Sequence, residues 1–82
     1  MATKHDLMHW TTEALSELGG EGSIVDVCQV VWRRHEHDLR ASGSLFYTWQ
    51  YDIRWSAQML RDEGKLMPAD QAPRGVWALA AP

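Results

Sequence analysis

The last third of the chain limits the possible folds more than any other part. From residue 49 to residue 63 the apolar side chains recur at helical spacing, and Gly64 follows at the position where glycine most often ends a helix. Two short apolar runs come next, separated by residues that favour a turn. The predicted segments are strand two at Lys65–Ala69, the turn at Asp70–Gly75 and strand three at Val76–Ala80. These residues therefore predict an amphipathic helix followed by an antiparallel hairpin.

Helix one is predicted over residues 5–18 and ends at Gly19-Gly20. Its apolar and small residues recur at intervals of three and four, which places them on one side of a helix. The expected core-facing residues are Leu7, Thr11, Ala14, Leu15 and Leu18. The residues that follow, 21–23, are enough only for a minimal strand.

The segment from Ile24 to Trp32 is ambiguous because it is rich in β-branched residues and is compatible with a strand. Two observations favour a helix over residues 24–37. Ser23 and Asp26 have the spacing of a capping box, with Asp in place of the usual Glu. The apolar residues also keep helical spacing, and the polar continuation to His37 is too long for a strand. The residues at helical spacing are Ile24, Val27, Cys28 and Val31.

Helix three is predicted over residues 45–63, after a loop at residues 38–44 that contains Ser42-Gly43-Ser44. The chain is therefore expected to be mainly α with a small β-hairpin, in the α+β class. The order of the elements is that of a winged helix-turn-helix, with three helices and a two- to three-stranded antiparallel wing. The predicted bounds are 5–18, 24–37 and 45–63 for the helices and 65–80 for the wing hairpin.

Length and composition restrict the class of protein. A chain of 82 residues with 45% apolar side chains supports one domain with a single core, predicted over residues 1–82. No apolar run approaches the roughly 18 residues that a membrane span requires. Residues 1–6 are not followed by the apolar region of a secretory signal, and the lone Cys28 excludes an internal disulfide. These features predict a cytoplasmic protein with no membrane partner.

The distribution of charge matters more than the net charge of −3. Residues 1–32 hold one lysine and five acidic residues, whereas residues 33–82 hold seven lysines and arginines and six acidic residues. Positive charge is thus displaced toward helix three and the hairpin. So few cations predict weak binding to a polyanion by a single domain.

A helical projection of helix three separates its residues into two adjoining arcs. The first arc is expected to face the core and contains Trp49, Ile53, Ser56, Ala57 and Leu60. The second arc contains no acid and consists of Tyr47, Gln50, Tyr51, Arg54, Gln58 and Arg61. Arginine recognises guanine, glutamine recognises adenine, and tyrosine contacts phosphate or the thymine methyl group, so this arc is a candidate face for reading DNA. The alternative is an ordinary solvated helix face.

Four residues outside helix three complete the candidate DNA-binding set, namely Arg40, Ser44, Gln71 and Arg74. Arg74 lies at a tight Pro-Arg-Gly turn, from which an arginine can enter a minor groove or contact phosphate. An exposed arginine in a hairpin turn is an equally good interpretation. Trp55 and Met59 lie on the opposite side of helix three, where packing on a neighbouring element is expected and a partner-binding patch is the alternative.

The chain offers little for metal binding or catalysis. Two histidine pairs are present, His5 with His9 and His35 with His37, but no second cysteine or well-spaced acid accompanies them. Solvated or helix-capping histidines are therefore expected, with zinc binding as the alternative. Cys28 falls in an apolar stripe and is expected to be a small buried residue. No catalytic constellation is present, so no enzyme activity and no cofactor are expected.

Four short motifs lie along nearly the whole chain: Gly20-Glu21-Gly22-Ser23-Ile24, Asp52-Ile53-Arg54-Trp55-Ser56-Ala57 with Leu60, Gly64-Lys65-Leu66, and Arg74-Gly75-Val76-Trp77-Ala78-Leu79. Together they resemble the N-terminal winged-helix domain of Mrr-type restriction endonucleases. In that family a similar arginine–tryptophan helix precedes a glycine and a leucine, and then an arginine–glycine before the last strand. The resemblance implies DNA binding, including recognition of modified DNA for a nuclease. These 82 residues contain no nuclease domain, so cleavage does not carry over, and the chain would be an excised module or a free-standing relative.

The sequence thus predicts selective binding of double-stranded DNA, with helix three in the major groove and the wing beside it. The module would be the recognition part of a restriction or regulatory system. A second copy, or a fused or associated nuclease domain, is a further expected partner. The alternative function is a winged helix that binds proteins and not DNA, which the acidic balance and the five tryptophans support.

Overall fold

The computed structural model describes residues 2–80 as three α-helices and a two-stranded antiparallel sheet. The elements are α1 at Asp6–Glu17, β1 at Glu21–Ser23, α2 at Ile24–Arg40, α3 at Leu45–Asp62, a short 3-10 helix at Ala69–Gln71 and β2 at Val76–Ala78. This architecture confirms the expected mainly helical α+β class. No helix within these residues is long and apolar enough to cross a membrane.

Helix α1 buries nearly the side that its apolar spacing predicts. Leu7, Thr11, Ala14 and Leu15 are buried in the core, whereas Leu18 is half-buried at its edge. The sequence stripe omitted Trp10, which is also buried. The helix ends at two glycines with positive φ, a conformation that other residues rarely adopt, and the second of them donates its backbone N–H to the carbonyl of Leu15.

The ambiguous segment after β1 is helical, as its capping signal predicts. The Ser23 hydroxyl accepts a hydrogen bond from the Asp26 backbone N–H at 3.1 Å, and the Asp26 carboxylate accepts one from the Ser23 N–H at 3.4 Å. This reciprocal pair satisfies two backbone donors that the start of a helix otherwise leaves free. Helix α2 continues to Arg40, so the predicted end at residue 37 is wrong and the loop before α3 is correspondingly shorter.

A set of ion pairs joins α1 to the second half of α2. His35 stacks on the Trp10 ring with centroids 4.0 Å apart, and its Nε2 lies 2.7 Å from a carboxylate oxygen of Glu13. The hydrogen bond from His35 lowers the pKa of the Glu13 carboxyl, an effect that burial opposes and the Arg34 charge reinforces. Arg34 also bonds Glu17 at 3.0 Å. The backbone of α2 departs from helical geometry at His35, where this cluster is centred.

Helix α3 faces the core with the whole of its predicted inner arc. Trp49, Ile53, Ser56, Ala57 and Leu60 are all buried, and Leu45 joins them at the start of the helix. The Trp49 indole lies parallel to that of Trp32 on α2, with ring centroids 6.1 Å apart. Packing on both neighbouring helices therefore determines which side of α3 faces outward.

The expected wing hairpin at residues 65–80 is only partly correct. Strand β2 pairs along its length with β1, in the register Glu21 to Ala78, and the predicted strand at Lys65–Ala69 is reduced to a single bridge between Leu66 and Leu79. Pro68 cannot donate a ladder hydrogen bond, and the short 3-10 helix begins immediately after it. The minimal strand at residues 21–23 is therefore the main partner of the last strand.

The last strand places its small residue, and not its tryptophan, deepest in the core. Ala78 is buried, whereas Trp77 is half-buried and packs against the edge of the core. Neighbouring side chains of a strand point to opposite faces, so the two residues cannot share the same inner position. The alternation of the last strand predicts Trp77 as a core residue on the face toward the helices, and this is only partly correct, because Trp77 packs against the core but stays half-buried. Its truncation should cost less than the about 3–5 kcal/mol typical of a buried tryptophan.

We expect Ser23→Ala to lower the free energy of unfolding by about 1 kcal/mol, because it removes one half of the capping pair. For a domain of this size that loss corresponds to a decrease of about 4–8 °C in Tm. The matched control is Ser44→Ala, since Ser44 occupies the equivalent position before α3 but makes no capping hydrogen bond. Thermal unfolding followed by circular dichroism checks both variants, and equal decreases would contradict the capping role of Ser23.

Candidate functional site

Four residues of the predicted reading arc lie together on the outer side of α3. Tyr47 and Tyr51 are 84% and 78% exposed, and Gln50 and Arg54 are also exposed. Within residues 2–80, neither Gln50 nor Arg54 makes a side-chain hydrogen bond or ion pair. We call these four residues the α3 face. It spans two turns, or about 10 Å along the helix axis.

A groove between α2 and α3 borders the α3 face. Its volume is about 430 Å³, and its walls are mainly apolar. The residues that line it are Ile24, Val25, Cys28, Gln29, Trp32, Trp49, Gln50 and Arg54. We call this cavity the α2–α3 groove. Gln50 and Arg54 therefore belong both to the α3 face and to the rim of the groove.

Cys28 lies in the wall of this groove and is half-buried, so the expectation that it is a small core residue is only partly correct. Burial raises the pKa of its thiol, and the positive charge of Arg54 acts in the opposite direction. A thiol with a raised pKa is mostly protonated near neutral pH, so Cys28 acts here as an apolar wall residue.

The remaining arc residues at the far end of α3 do not join the face. The Gln58 amide donates a hydrogen bond to the Asp62 carboxylate at 3.0 Å, so it is already occupied and lies beside an acid. Arg61 is half-buried, and its Nε is buried without a hydrogen-bond partner among the described residues. Arg61 lies about 10 Å along the helix axis from Arg54, two turns further toward the C-terminal end of α3.

Arg40 is engaged by contacts with neighbouring side chains. Its Nε donates to the Glu36 carboxylate at 2.8 Å, and its guanidinium lies over the rings of Trp32 and Phe46. These contacts occupy the Arg40 guanidinium at the end of α2, although the ion pair is exposed and therefore weak. Ser44 is exposed just before α3 and stays within reach of a ligand on that side.

The two candidate residues of the wing are exposed. Gln71 ends the short 3-10 helix, and Arg74 precedes Gly75, whose φ of 77° allows the tight turn into β2. In the described part of the chain, neither side chain contacts α3 by a hydrogen bond or ion pair. The structure therefore leaves this turn beside the fold as a separate exposed segment.

The tryptophans form no exposed patch in the described residues. Trp10 is buried, Trp32 is half-buried beside Trp49, and Trp55 is covered by the ammonium group of Lys4 at 4.5 Å and by the edge of the His5 ring. This confirms that Trp55 packs on a neighbouring segment. The exposed large apolar side chains are Val25, Tyr47 and Tyr51.

Sequence reasoning did not find the α2–α3 groove. The available signal was Val25, an apolar residue that lies off the core-facing stripe of α2 and is 60% exposed. Such a residue indicates either a partly open surface or a contact with another molecule. For metals, residues 2–80 contain no group of three or more histidine, cysteine or acidic side chains that could hold an ion.

Comparisons with protein-family models, curated proteins and solved structures return no match for this chain. The resemblance to Mrr-type N-terminal domains therefore stays a prediction from short motifs. Function has to be inferred from the α3 face, the α2–α3 groove and the exposed turn.

We expect the Cys28 thiol to be alkylated more slowly near pH 8 than an unhindered thiol, because its raised pKa leaves less thiolate. Arg54→Gln removes the positive charge that opposes this shift, so the pKa should rise further and the pH–rate profile should move to higher pH. Arg74→Gln, which changes an exposed charge outside the groove, is the control. A profile of Arg54→Gln that moves to lower pH would contradict the electrostatic contact.

Proposed function

We propose that this chain is a winged helix-turn-helix module that binds double-stranded DNA with the α3 face. The observation that supports this most directly is the α3 face itself, where Arg54 and Gln50, which have no side-chain polar partner among residues 2–80, lie beside two exposed tyrosine rings. A bidentate Arg54 would recognise guanine in the major groove, and Gln50 would recognise adenine. Tyr47 and Tyr51 would contact phosphate or a thymine methyl group.

The connections between elements support the winged helix-turn-helix interpretation. Residues 41–44 connect α2 to α3, and Gly43 adopts a φ of 60° within this turn. A turn of three to four residues, often with glycine, is typical of a helix-turn-helix motif. The last strand lies between β1 on one side and the bridge to Leu66 on the other, as a wing of two to three strands requires.

The described charges support weak binding to generic DNA. Several cations are already neutralised by ion pairs, namely Arg33, Arg34, Arg40 and Lys65. The arginines without an ion pair in residues 2–80 are Arg54, Arg61 and Arg74. So few phosphate contacts correspond to a dissociation constant of roughly 10⁻⁴ to 10⁻⁶ M for nonspecific duplex. Useful affinity would then require a second copy, a fused domain or a specific base feature.

The second candidate function is protein binding, and the observation that favours it is the α2–α3 groove rather than the tryptophans. The tryptophans that first favoured it are engaged in packing. The α2–α3 groove favours it instead, because an open apolar groove between two helices is a common site for a partner helix. Neither function requires a catalytic step or a cofactor, and a DNA-binding role is compatible with the expected cytoplasmic location.

We expect Arg54→Ala to weaken duplex binding by about 1–3 kcal/mol, because it removes the central side chain of the α3 face. The measurement is a fluorescence anisotropy titration with duplexes that carry either modified or unmodified bases. The charge-matched control is Arg33→Ala, which removes an exposed arginine that pairs with Glu17 on the other side of α2. Equal affinities of the folded Arg54→Ala variant and the wild type would refute the role of the α3 face.

The dependence of binding on salt tests the number of phosphate contacts. If Arg54, Arg61 and Arg74 are the only contacting cations, a plot of log K against log salt concentration should be no steeper than about −3. Titrations of a random-sequence duplex at several salt concentrations give this slope. A much steeper slope, or nanomolar binding by a monomer near physiological salt, would show that the ion-paired arginines are released to bind DNA.

A further inference from the structure

We infer that the α2–α3 groove is a docking site for a short amphipathic helix that carries acidic residues, and that its occupancy competes with DNA at Arg54. The competition part rests on the proposed function, whereas the docking site itself does not.

The lining of the groove matches an apolar anchor. Ile24, Val25 and Cys28 form the wall on α2, and the indoles of Trp32 and Trp49 complete it on the inner side. Val25 stays 60% exposed although it is β-branched and apolar. A cavity of about 430 Å³ with such a lining lies within the size range of sites that bind ligands. Burial of apolar side chains there would remove this exposed surface from water.

The rim of the groove selects the charge of the partner. Arg54 is the one charged residue among those that line it, and Gln29 and Gln50 contribute amide groups. Among residues 2–80 no carboxylate lines the groove, although the chain as a whole has a net charge of −3. A carboxylate on the partner would pair with the Arg54 guanidinium, whereas a basic partner would meet only repulsion.

The groove runs between two helices, which favours a helical occupant. A helix in such a groove places anchors at positions i, i+3 or i+4, and i+7, and its polar side remains in water. A second copy of this chain fits less well. Its exposed large apolar side chains among residues 2–80 are Val25, Tyr47 and Tyr51, and in a two-fold contact each groove would offer the other its own Arg54 in place of a carboxylate.

The shared residues couple this site to the proposed DNA surface. Gln50 and Arg54 border both the groove and the α3 face. One guanidinium cannot make a bidentate contact with a partner carboxylate and with guanine at the same time. Binding of an acidic helix would therefore lower the apparent affinity for DNA, and DNA would lower the affinity for the helix by the same factor.

The test begins with a displayed library of short helical peptides that have apolar residues at i, i+4 and i+7 and random residues elsewhere. It is selected on the wild-type chain and counter-selected on Val25→Asp, which adds a charge at an exposed position of the groove. We expect the selected peptides to be enriched in Asp and Glu over Lys and Arg. A failure to enrich peptides, or the enrichment of basic ones, would overturn the inference.

The selected peptide is then synthesised in two forms, with its acidic residues kept or changed to lysine. We expect the acidic form to bind at least about tenfold more tightly, and Arg54→Glu to reverse this preference. The acidic form should also protect Cys28, the single cysteine of the chain, from alkylation. Arg33→Glu is the control and should change neither result. Equal binding of the two forms, or an unprotected Cys28, would overturn the inference.

Two further measurements separate this inference from the proposed function. Gln29→Glu places an acid at the exposed rim of the groove and should weaken binding of the acidic peptide. This variant keeps the test available if Val25→Asp fails to fold. Competition is measured by adding the peptide to a protein–duplex complex. Peptide binding without any DNA binding would support the groove and refute the DNA proposal, whereas simultaneous binding of both ligands would overturn the competition. If sedimentation detects dimers and Val25→Asp abolishes them, the groove binds a second copy of the chain. That result would overturn the inference that it binds a peptide helix.

Discussion

The packing of α3 on α1 and α2 is the interaction on which the rest of the structure depends. Trp49, Ile53 and Leu60 are buried on the inner side of α3, and Trp49 lies parallel to Trp32. Because this side is filled with large apolar groups, α3 cannot rotate about its axis without exposing them to water. The outward position of Tyr51 and Arg54 is thus a direct consequence of core packing. Core packing alone therefore sets the orientation of the α3 face, since among residues 2–80 neither Gln50 nor Arg54 makes a side-chain hydrogen bond or ion pair.

Ion pairing between α1 and α2 decides where positive charge remains available. The acids Glu13 and Glu17 of α1 are paired with Arg33, Arg34 and His35 of α2. These pairs are partly exposed, so they add little to stability, but they remove two arginines from the charge that a polyanion would meet. The acidic first half of the chain therefore has a local role in the fold. It also limits any DNA binding to a few contacts near α3 and the exposed turn.

The α3 face and the α2–α3 groove adjoin along one edge of α3. Arg54 belongs to both, because it is exposed on α3 and also lines the groove. It also acts on the Cys28 thiol across the groove, since its charge opposes the rise in pKa that burial causes. Arg54 thus links the apolar groove, the Cys28 thiol whose alkylation can report on its occupancy, and the surface proposed for DNA.

Much of the local structure was determined by the sequence alone. The inner arc of α3 follows from helical spacing, and the start of α2 follows from Ser23 and Asp26, because both depend on neighbours along the chain. The candidate site was predicted in part: spacing placed the α3 face, but sequence reasoning did not weigh two i,i+4 pairs within single helices, Gln58 with Asp62 and Arg40 with Glu36. Tertiary structure decided that β2 pairs with β1, and that α2 and α3 leave a groove between them. Both depend on contacts between distant segments, which local spacing does not encode.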